Sequence, residues 1–250
     1  MGVTFVHIND AFSEDLESLS MIANMTKEKG LRNKDEFWEN LILNYIASLY
    51  QNFTLQEKQF LRTNDEKTIK KIIRKKLESD NTFSEEHLLT VDLEPQNKHS
   101  KLLGFYDIKI RSSLWNSYFS FECKCINNNQ ASILEYVYNP NKVKKKIKFE
   151  DGGLYRFLIN KYSEDKRFGG MIGFLQGGDL NQVKNLVYAQ IRSLKLICNS
   201  TCFGTLSEED IVEEEKIPYY FRTNHSRFDI SENKECEPIR IHHFLYDFTE

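Results

Sequence analysis

Asp107 and the triplet Glu122-Cys123-Lys124 carry the residue types from which a hydrolytic site can be built. Two carboxylates converging on one point suit a hard divalent cation. Mg²⁺ takes oxygen ligands, keeps several waters and commonly uses one or two carboxylates together with a phosphate oxygen. Such an ion polarises a phosphate and acidifies a bound water. A neighbouring ammonium group can orient that water or stabilise the charge that develops on phosphorus. Asp107 and Glu122 are therefore candidate metal ligands, and Asp107, Glu122 and Lys124 together are candidate catalytic residues for phosphodiester hydrolysis.

These side chains meet only if the surrounding chain forms two neighbouring strands. Residues 103–111 alternate, with Tyr106, Ile108 and Ile110 on one face and Phe105, Asp107, Lys109 and Arg111 on the other. Residues 118–126 alternate too, with Phe119, Phe121, Cys123 and Cys125 opposite Ser120, Glu122 and Lys124. The short linker 112–117 suits an antiparallel connection. Glu122 and Lys124 are two apart and share a face. Asp107 is expected to join them above a core of Tyr106, Ile108, Ile110, Phe119 and Phe121. A surface hairpin with an ordinary polar face would give the same alternation. Against that, two phenylalanines and Cys-x-Cys on the apolar face predict a central strand, where a buried Glu–Lys pair needs a reason.

The rest of the chain reads as helices over 13–30, 35–51 and 65–78, then a strand at 88–93. The 35–51 helix spaces Phe37, Leu41, Tyr45 and Leu49 four apart. Residues 127–150 are polar and basic and read as part helix, part loop. A helix at 154–162, a buried strand at 169–175 and a helix capped by Asp179 follow. An acidic segment at 207–216 precedes strands near 218–223 and 239–248. The expected organisation is a single domain over 1–250. Within it, 1–34 is an N-terminal helical extension, 35–200 the core, and 201–250 a C-terminal extension with edge strands.

Composition narrows the function. With 250 residues, 40% of them hydrophobic, the chain can bury a sizeable core. No window approaches 18 uninterrupted apolar residues, which excludes a transmembrane helix and a membrane role. The first residues lack a leader pattern, and the cysteine count of five is odd. Both features point to reduced thiols and a cytoplasmic location. A net charge of −3 means that any nucleic-acid contact must come from local patches. The candidates are Lys144, Lys145 and Lys146 in the run 142–148, Arg156 and Lys161 on the following helix, and the basic helix 67–76. Each also has a bland reading as a solvated face or a surface salt bridge. The glycines at 169–178 lack the Gly-Lys-Ser/Thr of a phosphate loop and read as close packing of a strand. Cys123, Cys125, Cys198 and Cys202 match the spacing of zinc sites poorly. At least one of His242 and His243 is expected to be exposed on an alternating strand.

The segments 104–110 and 118–125, with their Asp and Glu-x-Lys, resemble the PD-(D/E)xK nuclease superfamily. The resemblance implies an α/β, restriction-endonuclease-like core: a mixed central sheet flanked by helices, in the order helix, three-stranded meander, helix, strand, over about 35–175. It implies Mg²⁺ or Mn²⁺ on Asp107 and Glu122, with Lys124 assisting the attacking water. Family members often add a glutamate from the first core helix, for which Glu36, Glu39 and Glu78 are candidates. Tyr106 stands where the motif has proline. Glu122-Cys123-Lys124, residues 153–162 and residues 170–174 are further similar to nucleases of bacterial restriction and anti-phage loci. The implied function is metal-dependent cleavage of DNA, with RNA an alternative substrate. The implied partners are other defence-system subunits, and a homodimer would suit duplex cleavage. The rival expectation is a catalytically silent module of the same fold that binds nucleic acid or protein.

Overall fold

The computed structural model describes residues 35–94, 105–163, 166–198, 201–203, 211–214 and 217–249. The helix expected at 13–30, Gly104 and most of the acidic segment lie outside these residues.

Periodicity and capping account for the first elements. Helix α1 (Asp35–Gln51) buries Trp38, Leu41, Ile42, Tyr45, Ile46 and Leu49. Helix α2 (Leu55–Arg62) starts at a capping box, in which the Thr54 hydroxyl accepts from the Glu57 amide and the Glu57 carboxylate accepts from the Thr54 amide. Helix α3 (Glu66–Glu78) is capped by Asp65, which accepts the Thr68 amide at 2.8 Å. Ile69, Ile73 and Leu77 are its buried stripe. A π-helical turn at Thr82–Glu86 leads into strand β1 (Leu89–Leu93).

Strand β2 (Ile108–Ser112) pairs antiparallel with β1 and with β3 (Phe119–Ile126), Ile110 lying opposite both Val91 and Phe119. Helix α4 (Gln130–Tyr136), a separate hairpin of β4 (Asn139–Lys144) and β5 (Ile147–Asp151), and helix α5 (Gly153–Leu158) then cross the sheet. Strand β6 (Phe168–Leu175) returns parallel to β3, with Met171 beside Glu122. Helix α6 (Leu180–Ser193) follows, then a small ribbon of β7 (Leu196–Cys198) and β8 (Thr201–Phe203). Strands β9 (Ile211–Glu213), β10 (Tyr220–Asp229) and β11 (Lys234–Asp247) complete a seven-stranded sheet ordered β1-β2-β3-β6-β11-β10-β9. Among the described strands, only the β3–β6 and β6–β11 pairs are parallel. The architecture is thus mixed α/β, a large and mostly antiparallel sheet with helices on both faces. Side chains of α1, α2 and α3 form one core, and those of α4, α5 and α6 form the other.

Several expectations change. Tyr106 belongs to the second core, with Tyr118 and Tyr162, rather than to the core of Ile108 and Ile110, because the chain has left the strand there. The C-terminal strands are not an edge extension: β11 lies inside the sheet. Its last turn of sequence, His242 to Asp247, is buried throughout, as a strand covered on both faces must be. Both His242 and His243 are fully buried. The loop expected within 127–150 is largely the β4–β5 hairpin. The glycines of β6 do serve packing: a Cβ on Gly170 would stand 2.2 Å from the Phe121 ring, and one on Gly173 would stand 2.6 Å from Ile126. The side chains of Cys198 and Cys202 lie outside the described residues. Among the described residues no helix is long and apolar enough to cross a membrane.

Candidate active site

Strand β2 begins one residue after Asp107, so the aspartate sits at the strand's mouth. Its carboxylate takes the place of a backbone partner: Oδ2 accepts the Cys123 amide of β3 at 2.8 Å. Oδ1 accepts from Lys70 Nζ of α3 at 2.6 Å. One register step along β3, Glu122 is fully buried. Its Oε1 accepts from Lys124 Nζ at 2.5 Å and from Arg156 Nη1 of α5 at 2.5 Å. Lys124 Nζ lies 3.8 Å from Asp107 Oδ2. The three residues singled out by alternation therefore do converge, at the end of β2 between α3 and α5.

Around this trio the side chains are nearly all paired. Arg156 holds Asp151 through Nε and Nη2 at 2.9 and 3.0 Å, and its Nη1 also reaches the Tyr162 hydroxyl at 3.2 Å. That hydroxyl donates to the Phe105 carbonyl at 2.5 Å, which ties α5 to the segment leading into Asp107. Glu66 of α3 lies 3.4 Å from Lys70 and 3.9 Å from Lys124. Glu122 forms the floor, and the part-exposed Asp107, Lys124 and Glu66 side chains form the opening to solvent.

Burial and charge pull these groups in different directions. Burial pushes Glu122 up to about 7, with Asp107 adding to the rise and Lys124 and Arg156 opposing it. Burial would raise Asp107 too, but Lys124, Lys70 and the Cys123 amide overcome it and hold the carboxyl below its ordinary value. Glu66 is raised, chiefly by burial. Burial would lower Lys124, yet Glu122, Asp107 and Glu66 hold its ammonium well above the usual range. Lys124 is thus a fixed positive charge, whereas Glu122 titrates near neutrality.

The donor set fits a hard cation. All three acids offer oxygen, and Glu122 Oε2 is buried with no hydrogen-bond partner among the described residues, an orphan acceptor in a native site. The ammonium of Lys124 already lies between the Glu122 and Asp107 oxygens, where the carboxylates draw positive charge. Among the described residues no three His, Cys, Asp or Glu side chains stand close enough to hold a metal unaided. Asp107 and Glu122 would be the protein's ligands, with water and phosphate completing the shell.

Glu39 is engaged elsewhere, by Arg240 at 3.1 Å and by His242 at 2.7 Å, on the β11 side of α1. Glu36 is exposed in the first turn of α1, and Glu78 pairs with Arg74. The acid that meets the trio is Glu66. Arg156 is bound to Glu122 and Asp151, which makes it a positioning residue. Lys161 lies half-buried just beyond α5, its ammonium lowered by burial and by the Arg156 charge. Lys144, Lys145 and Lys146 are exposed at the end of the β4–β5 hairpin. Sequence reasoning passed over Glu66 and Asp151, and took Lys70 as one of the cations of the basic helix 67–76, whereas it is buried against Asp107. Lys70 did carry a signal: it follows Ile69 and precedes Ile73 by three, which puts a lysine on an apolar stripe.

In comparisons with known proteins the sequence matches no family model, and no curated protein or solved structure is significantly similar to it.

Proposed function

We propose that this chain is a metal-dependent nuclease of the PD-(D/E)xK type that hydrolyses phosphodiester bonds of DNA. The observation that carries the reading is the convergence of Asp107, Glu122 and Lys124 from adjacent strands, with Lys124 Nζ 2.5 Å from Glu122 and 3.8 Å from Asp107. The order of elements supports a restriction-endonuclease-like core: helix, antiparallel β1–β2–β3 meander, helix, then β6 parallel to β3.

Hydrolysis adds water to phosphorus and breaks the bond to the leaving sugar oxygen, giving a phosphate monoester and a hydroxyl. Bound by Asp107 and Glu122, Mg²⁺ or Mn²⁺ would supply Lewis acidity and a more acidic water. Lys124 remains an ammonium, so it stabilises the negative charge on the phosphate rather than taking a proton from water. Lys70 keeps Asp107 ionised and fixed. Arg156 holds Glu122 from the other side. Glu66 adds a third carboxylate at the opening. The biological setting would be restriction or anti-phage defence in the cytoplasm.

A second reading has its own support. The lysines and Arg156 already satisfy the Asp107 carboxylate and one Glu122 oxygen, as expected of a silent module that binds nucleic acid or protein without cutting it. One panel separates the two. Supercoiled plasmid, single-stranded DNA and RNA are incubated with the wild type and Glu122→Gln in Mg²⁺, Mn²⁺ or EDTA. The nuclease reading expects cation-dependent cleavage of DNA that Glu122→Gln loses. Binding without cleavage under every condition establishes the silent module instead.

A further inference from the structure

The β4–β5 hairpin is a two-stranded ribbon outside the main sheet, and its outer end is both basic and apolar. Residues 142–148 contain five lysines and no acid. Lys144, Lys145, Lys146 and Lys148 are exposed, and so are Val143 at 59% and Ile147 at 67%. Register distributes them evenly. Lys144 faces Ile147 across one side of the ribbon, and Val143 faces Lys148 across the other. Each face of the end therefore presents one aliphatic group and one cation, with Lys145 and Lys146 at the tip.

The tip is built against local preference. Lys145 and Lys146 both adopt positive φ, 51° and 67°. A two-residue turn of this form is the one for which Asn-Gly is the favoured pair. Two lysines there cost stability, and such strain held at an exposed point asks for a role.

The base of the ribbon is rigidly tied to the candidate site. Asp151 accepts the bidentate Arg156 fork, and Arg156 also grips Glu122. Tyr138 and Tyr155 both donate to Glu150, at 3.0 and 2.9 Å. Lys142 pairs with Glu135 of α4. Five residues of extended chain separate Asp151 from Lys146, so the tip stands about 17 Å from that anchor.

We propose that this ribbon grips double-stranded DNA by entering its major groove, placing the duplex across the Asp107–Glu122–Lys124 site. The inference rests on the nuclease reading for its orientation and names the duplex as the substrate form. A major groove admits a two-stranded ribbon, and cations on both faces reach the phosphates of both walls. The aliphatic groups then lie against base edges. A single strand has no second wall to meet the second face.

Two variants of the full-length protein test this, with binding to a fluorescent duplex and a single strand measured in EDTA so that nothing is cut. Lys145→Asn/Lys146→Gly relieves the turn while removing two cations. The proposal expects its thermal midpoint to rise by about 2–4 °C. It also expects duplex affinity to fall about 30-fold at 0.15 M salt, and the logarithmic salt slope to shrink by about 2. Val143→Ser/Ile147→Ser should weaken duplex binding with the salt slope unchanged, and leave single-strand binding as it was. Duplex affinity equal to wild type in both variants overturns the proposal, as does an equal loss on duplex and single strand. Plasmid cleavage is scored alongside. Ribbon-dependent duplex binding with no cleavage keeps the ribbon and discards the nuclease. Cleavage with ribbon-independent binding does the reverse.

Discussion

Replacing Glu122 by Gln should stabilise the protein near neutral pH, and the size of the effect follows from the site. Burial pushes Glu122 from an ordinary 4.5 up to about 7. Between these values the folded protein holds a proton that the unfolded chain has released. Stability therefore falls as pH rises through this window. A difference of one pH unit between the folded and unfolded values is worth about 1.4 kcal/mol, so the full penalty above pH 8 is roughly 3 kcal/mol. Gln copies the protonated form in shape and hydrogen bonding and does not titrate. Urea unfolding of the wild type and Glu122→Gln, from pH 4.5 to 8.5, gives the difference directly. The variant should match the wild type at pH 4.5 and exceed it by roughly 3 kcal/mol at pH 8. Saturating Mg²⁺ should recover part of that deficit in the wild type alone, since a ligand that binds only the folded state stabilises it. A gap that stays constant with pH would contradict a raised Glu122 and mean that Lys124 and Arg156 balance the burial of the charge. A variant that loses stability relative to the wild type as pH rises would mean that they more than repay it.

Other perturbations follow from the same geometry. Arg156→Met leaves Asp151 and the buried Glu122 without their shared guanidinium and should cost about 3 kcal/mol in urea unfolding. Gly153→Ala would place a Cβ 2.8 Å from the Tyr136 carbonyl and 3.3 Å from Glu122 Cγ, so it should lower stability by about 1–3 kcal/mol and slow cleavage by displacing the carboxylate. Glu66→Gln removes the negative charge at the opening, including its 3.9 Å contact with Lys124, and leaves the Asp107 and Glu122 hydrogen bonds in place. It should weaken Mn²⁺ binding by calorimetry several-fold while leaving the thermal midpoint within about 2 °C of wild type.

Strong periodicity made part of this fold readable. Helices α1 and α3 carry apolar stripes, and α3 has a cap at Asp65. Strands β2 and β3 alternate, which put Glu122 and Lys124 on one face, and Asp107 joins them from the residue just before β2, where its carboxylate takes the Cys123 amide. Helix α2 escaped notice because only Leu61 of its eight residues is buried. The β4–β5 hairpin was invisible because its turn is Lys-Lys, where turn rules look for Asn-Gly. Strand β11 read as a peripheral tail because its parallel partner β6 lies some seventy positions earlier, and no local pattern encodes such a pairing. The same holds for the acids. Glu39 looked available on a core helix, yet Arg240 and His242 claim it from across the chain. Glu66 joined the site only through the packing of α3 beside β1 and β3.

Plasmid nicking reports on the Asp107–Glu122–Lys124 site without an intermediate step. Supercoiled plasmid is incubated with excess protein in Mg²⁺, comparing the wild type with Asp107→Asn, Glu122→Gln, Lys124→Met and Glu36→Gln. Cation-dependent nicking is expected of the wild type and of Glu36→Gln, whose carboxylate is exposed in α1. Each of the other three variants should lose at least about 100-fold, as for removal of a transition-state charge partner. Nicking that survives Asp107→Asn and Lys124→Met at the wild-type rate would contradict this placement of the catalytic site.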